Sequence, residues 1–313
     1  MRMTEEQRQL REHFLSPETR CGYYVSAETK ACWKAMLDIV EELDRICRKY
    51  DIKYFLIAGS LLGAIRHKGF IPWDDDVDVA LFRDDYNRLE RILPNELPSH
   101  LFMQTMETDP ESPPAHMKIR NSRTTSIFRY EAEQKLCYNM GIYIDVFALD
   151  GVPKSRQIEK IFAWFGCRWR DFVRYRNAHV ISGVKGFMKK VVYRCVWMLF
   201  GTRLIYRFRE RTFALFKIAD SIDCVQDPCD WGYTHRYRYT ISDLKDVIDV
   251  PYEYLMLKVP KNYNAVLTRT YGDWHKPVKG DSVHSDLIQD AQVDYKTILR
   301  RDFGYTEPML ARC

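Results

Sequence analysis

The sequence predicts an α/β, or α+β, fold, and three observations lead there. Residues 27–49 carry an amphipathic helical pattern and are followed almost at once by a short apolar run, Tyr54 to Ala58. Asp76-Val77-Asp78-Val79-Ala80-Leu81 alternates with the two-residue period of a strand, acids on one face. A third run, Ile142 to Phe147, is opened by Gly141 and closed by Leu149-Asp150-Gly151-Val152-Pro153.

In chain order, Cys32, Met36, Ile39 or Val40, Leu43 and Ile46 or Cys47 recur at steps of three or four, which defines the buried stripe of the first helix. Asp51-Ile52-Lys53 ends it. Tyr54 to Ala58 suits a buried strand that Gly59-Ser60 terminates, and Leu61 to Arg66 suits a helical turn. Gly69 and Pro72 mark a second turn before the Asp76–Leu81 strand. Arg83 to Leu93 reads as a helix stopped by Pro94. Short strands are expected near Leu101–Thr105, Met117–Arg120 and Thr124–Phe128. Beyond residue 153 a basic, aromatic block reads as helical. A strand near Tyr252–Val259, a helix near Asn262–Tyr271 and a final helix near Ser285–Arg300 complete the chain. The expected organisation is a catalytic core over 1–153, a basic helical insert over 154–245 and a C-terminal part over 246–313 packing back on the core.

The chain has 313 residues, with 14 Gly and 13 Pro, which excludes collagen-like and low-complexity classes. Its net charge of +5 is an average of two unlike regions. Between Lys154 and Lys217 stand 16 Lys or Arg and 3 acids, a local charge of +13, leaving −8 for the remainder. The 9 cysteines are odd in number and include no CxxC. With a polar, charged opening in place of a secretory signal, they predict free thiols in a reducing, cytoplasmic setting. Cys224, Cys229 and His235 lack the second cysteine pair of a common zinc site. No run of 18 apolar residues exists, so no transmembrane helix is expected.

The most informative segment is Ala58 to Ala80. Asp76 and Asp78 share one face of a strand, and Asp74 joins them if extension begins that early. Like charges so placed repel, and the interleaved Val77, Val79 and Leu81 mark a core strand. A hard divalent cation reconciles the two facts, and Mg2+ (with Mn2+ as the substitute) takes one or two carboxylates plus substrate phosphates. Gly59-Ser60 stands between an apolar run and a helical turn, where backbone amides can face a phosphate. Arg66, His67 and Lys68 are placed to neutralise phosphate oxygens. Asp145, flanked by Ile144 and Val146, is the expected third acid. A lone aspartate on a buried strand is costly unless paired or functional, and it could bind metal or accept a proton.

Gly59-Ser60 with Asp76-Val77-Asp78-Val79 resembles the signature of the nucleotidyltransferase superfamily fold. Gly59 through Asp78 (Gly-Ser-Leu-Leu-Gly-Ala-Ile-Arg-His-Lys-Gly-Phe-Ile-Pro-Trp-Asp-Asp-Asp-Val-Asp) resembles the central block of the LicD family. Gly141 to Asp150 resembles its second block, and Tyr271-Gly272-Asp273 with Pro277 and His284 its C-terminal block, although one proline stands where two are usual. The resemblance covers roughly residues 30–150 and 250–300. It implies a nucleotidyltransferase-like mixed sheet and transfer of a phospho-alcohol, typically phosphocholine from CDP-choline, to a sugar hydroxyl of a cell-surface glycan or its lipid-linked precursor. Fukutin-related protein, similar in its core, handles ribitol phosphate. It further implies Mg2+ on Asp76 and Asp78 with Asp74 close by, Asp145 as base, and Lys118, Arg120 and Thr124 beside the diphosphate, with a role for His284. Rival readings are a nucleotidyltransferase releasing pyrophosphate and a non-catalytic nucleotide- or glycan-binding protein. A choline headgroup would need an aromatic cage, for which Tyr23, Tyr24, Trp73, Tyr143 and Phe147 are candidates.

The insert carries 14 aromatics beside its cations, and Val191 to Phe208 is apolar with Arg194, Arg203 and Arg207 interspersed. Such segments lie in the interface of anionic membranes, so peripheral contact through residues 154–217, at the inner face of the membrane, is expected. Nucleic acid is not an expected partner, because no reading motif is present.

Overall fold

The computed structural model describes residues 4–112, 116–177, 184–225, 238–276, 278 and 286–313. Helix α1 (Glu5–His13) and the ribbon of β1 (Glu18–Arg20) and β2 (Tyr23–Val25) precede the long helix α2 (Ala27–Lys49). There follow β3 (Phe55–Leu56), α3 (Ala58–His67), β4 (Asp78–Phe82), α4 (Arg83–Glu96), β5 (Leu101–Gln104), β6 (Met117–Asn121), β7 (Thr125–Phe128), α5 (Arg129–Glu133) and β8 (Ile142–Gly151). Helices α6 (Arg156–Asn177) and α7 (Val184–Phe213) lead to β9 (Asp223–Val225), β10 (Arg238–Thr240) and the short α8 (Ile241–Leu244). The hairpin of β11 (Val247–Tyr252) and β12 (Leu255–Pro260), then α9 (Tyr263–Tyr271), β13 (Leu287–Asp290), α10 (Tyr295–Phe303) and α11 (Glu307–Leu310) close the chain.

The mixed α/β fold is as the sequence predicts. Strand β8 is the axis of a seven-stranded mixed sheet. It runs parallel to β4, with Asp78 opposite Asp145, and antiparallel to β6, with Lys118 opposite Asp145. Beyond Leu149 its edge is taken by β9, which carries β10. Parallel pairing of β4 and β8 requires a crossover, and α4 begins that connection. Helix α2 covers the sheet because its stripe of Met36, Leu37, Val40, Leu43 and Ile46 is wholly buried. The Ser26 side chain accepts from the amide of Thr29 at its start, and Arg48 and Lys49 sit in its last turn, where cations suit the helix dipole.

Several boundaries differ from the sequence expectation. The apolar run at 54–58 yields only the two-residue β3, and α3 begins at Ala58, so Gly59 and Ser60 lie in its first turn and not in a loop before it. Ala58 makes the corner by adopting a left-handed φ of 51°. The acidic strand starts at Asp78, and Asp74 to Val77 form an irregular lead-in after the turn closed by the Asp74 amide on the Ile71 carbonyl. Pro94 lies inside α4, which runs on to Glu96: its ring costs the helix one i→i−4 bond but does not, as the sequence expectation had it, end the helix. The strand expected over 252–259 is a hairpin, because Glu253 takes a positive φ between β11 and β12. The final helix expected from Ser285 starts ten residues later. Leu287–Asp290 instead pairs antiparallel with β7, and the Asp294 side chain caps α10. His284, Pro277, Cys229 and His235 lie outside the described residues.

Candidate active site

The site forms at the start of β4, where Asp78 lies beside Asp145, the fourth residue of β8. Because Asp78 and Asp145 are in register on parallel neighbours, their side chains emerge on the same face. The register is held by the backbone: the Asp145 amide donates to the Val77 carbonyl at 2.8 Å, and the Ile57 amide to the Asp78 carbonyl at 3.1 Å. The hydroxyl of buried Ser60 accepts from the Asp78 amide at 2.8 Å, fixing the first turn of α3 against β4. Carboxylate oxygens of Asp76, Asp78 and Asp145 lie within 4.8 Å of one another, as do those of Asp74, Asp75 and Asp76.

Gly59 makes room for this cluster. A Cβ there would stand 2.8 Å from Oδ2 of Asp74, so only glycine lets that carboxylate lie against the helix start. The lead-in is fixed from behind by the Trp33 indole, which donates to the Asp74 carbonyl at 3.0 Å. Burial, with the charges of Asp76, Asp145 and Asp74, pushes the Asp78 carboxyl well above its ordinary range. Burial and its neighbours Asp76 and Asp75 do the same to Asp74. The fold thus holds mutually repelling acids together, and all their donor atoms are hard oxygens. That set fits Mg2+ or Mn2+.

Asp145 differs from its neighbours. Burial alone would raise its carboxyl, but the Lys118 ammonium and the His116 ring outweigh it and hold the group well below the usual carboxylate range. Lys118 Nζ lies 2.6 Å and His116 Nε2 2.7 Å from Asp145 Oδ1. Burial in turn lowers the Lys118 ammonium, with Asp145 opposing it. His116 was missed in the sequence reading. Its signal is visible in retrospect as the two-residue spacing of His116, Lys118 and Arg120 along one strand face.

Arg120 shares the face of Lys118 but is buried, donating to Gln104 Oε1 at 2.6 Å and to the Gly141 carbonyl at 2.8 Å. Thr124 is buried one layer away, its hydroxyl donating to the Asn121 carbonyl and accepting from the Ile142 amide. Arg66 and Lys68 stand at the far end of α3, about 12 Å along its axis from Gly59. There the Arg66 guanidinium donates to the carbonyls of Trp274 and, at 3.4 Å, Lys276, tying α3 to the C-terminal block. Among the aromatics, Tyr143 and Phe147 flank Asp145 on its own face of β8. Lys118 lies over the Tyr143 ring at 3.4 Å, and Phe147 packs against His116. Trp73 packs edge-on to Tyr23.

A mixed sheet that presents clustered aspartates, with a glycine-bearing helix start behind them, is the arrangement that the resemblance to the nucleotidyltransferase superfamily led one to expect. Residues 51–156 match the family described as LicD/FKTN/FKRP, nucleotidyltransferase domain. The lipopolysaccharide cholinephosphotransferase LicD of Haemophilus influenzae is 28% identical over 275 residues, 82% of this chain and 95% of that one. The human ribitol 5-phosphate transferase FKRP is 32% identical over 85 residues, which span 24% of this chain and 17% of that one. An uncharacterized protein of Rickettsia prowazekii, RP689, is 38% identical over 60 residues, 19% of this chain and 23% of its own.

Proposed function

We propose that the chain is a divalent-metal-dependent phosphotransferase that moves a phospho-alcohol, phosphocholine from CDP-choline in the first instance, to a sugar hydroxyl of a glycan or its lipid-linked precursor, releasing CMP. The observation that carries this reading is the convergence of Asp76, Asp78 and Asp145 within 4.8 Å, with Lys118 bonded to Asp145 in the same site. The names of the Haemophilus and human relatives support the reaction class, phosphocholine in one case and ribitol phosphate in the other.

Mg2+ held by Asp76 and Asp78, with Asp74 beside them, would supply charge neutralisation for a diphosphate. The start of α3 at Gly59 and Ser60 leaves backbone amides for phosphate oxygens, and Lys118 adds a cation on the same face. In the transfer, the acceptor oxygen bonds to the phosphorus that carries the alcohol. The bond from that phosphorus to the bridging oxygen breaks, and CMP departs with the oxygen. Phosphoryl transfer needs positioning more than strong bases, because its transition state is loose. That suits Asp145, which the Lys118 and His116 contacts make a weak proton acceptor: it takes the hydroxyl proton late, once the new bond is forming. Phe147, half-buried on the Asp145 face of β8, is the aromatic best placed to meet the alcohol headgroup, since the Tyr143 ring is already covered by Lys118.

The test is Mg2+-dependent CMP release from CDP-choline, CDP-ethanolamine, CDP-ribitol and CDP-glycerol, beside a thermal-shift screen of the same compounds. Release of CMP from one of them supports the reading. Pyrophosphate release from CTP would replace it with a nucleotidyltransferase. Failure to bind Mg2+ and every CDP compound would leave a non-catalytic binding protein.

A further inference from the structure

We propose that the first half of α7 docks on an anionic lipid bilayer through a stripe made by Phe187, Met188, Val191, Val192, Met198 and Leu199. Helix α7 divides at Gly201, whose φ of 69° and ψ of 159° lie outside the helical range and in a region almost restricted to glycine. The half after the break belongs to the protein body. Tyr206, Arg209 and Phe213 are buried, Phe213 packs on Phe162 of α6, and Glu210 is bonded to buried Arg83. The half before the break is another matter. Met198 is 86%, Leu199 78% and Phe187 64% exposed. The six stripe residues recur at helical steps of three and four, with one longer interval, so they share one face. An exposed contiguous apolar stripe of this size marks an interaction surface.

Charge identifies what covers it. Between Lys154 and Lys217 there are 16 cations and 3 acids, and two of the acids are engaged within the protein, Glu159 with Arg238 and Glu210 with Arg83. The first half of α7 itself carries Lys185, Lys189, Lys190 and Arg194 and no acid, so the element that bears the stripe is positive. A lipid surface with anionic headgroups matches both features at once, and it accepts an extended stripe without requiring a shaped groove. Exposed Trp164 and Phe165 on α6 add aromatic residues of the kind that sit at headgroup level, and exposed Ile161 adds apolar surface beside them. No described helix is long and apolar enough to cross a membrane, so the contact is interfacial. The docked element is tied to the site: Arg83 joins Glu210 of α7 to Asp150, which lies on β8 with Asp145. If the phosphotransferase reading holds, a docked chain would share its membrane with a lipid-linked acceptor; the docking itself does not depend on it.

The test is flotation of the full chain with vesicles of phosphatidylcholine alone and of phosphatidylcholine with phosphatidylglycerol, at low and high salt. The chain is expected to float with the anionic vesicles, weakly with the neutral ones, and less at high salt. The double variant Met198→Glu/Leu199→Glu should lower anionic-vesicle affinity by roughly tenfold or more. Both positions face solvent, so its circular dichroism and melting should match the parent. Absence of flotation, or undiminished flotation of that variant, overturns the proposal. So does a dimer in light scattering that the variant dissociates while no vesicle is bound, since the stripe is then a surface for a second copy. Vesicle binding without CMP release would refute the phosphotransferase reading and leave this one standing.

Discussion

At the scale of single residues, the site opposes stability to chemistry. Asp78 is buried among Asp76, Asp145 and Asp74, which pushes its carboxyl up. Asp78→Asn removes one of those charges at nearly constant shape. It should leave the metal-free protein at least as stable as the parent in a thermal melt, while lowering turnover by about a thousandfold or more, because a ligand to the cation is gone. A fully active Asp78→Asn protein would refute the metal assignment. Gly59→Ala forces a methyl to within 2.8 Å of Asp74 Oδ2, so the carboxylate must move. Turnover should fall by roughly tenfold or more from displacement of the cluster, with the loss read in kcat at saturating Mg2+. Asp76, Asp78 and Asp145 were legible in the sequence because acids interrupt apolar strand patterns. His116 was not, because a histidine after a proline pair carries no pattern until its strand is known to begin at Met117.

At the scale of elements, buried charge decides how the pieces lock. Arg83 opens α4, and its guanidinium reaches both carboxylate oxygens of Asp150 at the end of β8, at 2.7 and 2.5 Å. The same guanidinium contacts Glu210 of α7. Removing one partner leaves the others buried and uncompensated, so Asp150→Ala should cost about 3–5 kcal/mol in urea unfolding. A loss below about 1 kcal/mol would show that the junction contributes little. At the end of α3, His67 has its Nε2 buried with no hydrogen-bond partner among the described residues. Burial, with Arg66 and Arg20 close by, lowers its pKa to about 4. An unfolded chain takes up that proton near 6.5, so between the two values the unfolded state binds more protons. The stability contribution is therefore complete above about 6.5 and is lost as pH falls toward 4. His67→Gln should flatten the fall in urea midpoint between pH 7 and about 4.5; an unchanged pH dependence would contradict this account. Helices α2 and α4 and the β8 strand were readable from periodicity. The β13 strand was not, since Leu287 to Asp290 is extended only because β7 offers it an edge.

At the scale of the whole molecule, the +5 net charge separates into a negative body that gathers carboxylates and a positive helical pair that faces outward. If the carboxylates hold a divalent ion, adding Mg2+ should raise the melting temperature of the parent. The stabilisation should reach about 2.7 kcal/mol when the ion is at a hundred times its Kd. Asp78→Asn should abolish the shift. A shift of equal size in that variant would place the ion elsewhere.

The sequence by itself determined the α/β class, the acidic strand, the third acid on its own strand, and the uneven charge. Each follows from local periodicity or composition, which the chain carries without reference to distant residues. Only the tertiary structure decided which groups meet. It set Lys118 and His116 on Asp145, and it turned Arg66 and Thr124 toward backbone carbonyls and amides. It also buried one half of α7 while leaving the other half's apolar face in water. Those outcomes depend on strand register and on which face each helix finds covered, and neither is written in the spacing of residues along a single element.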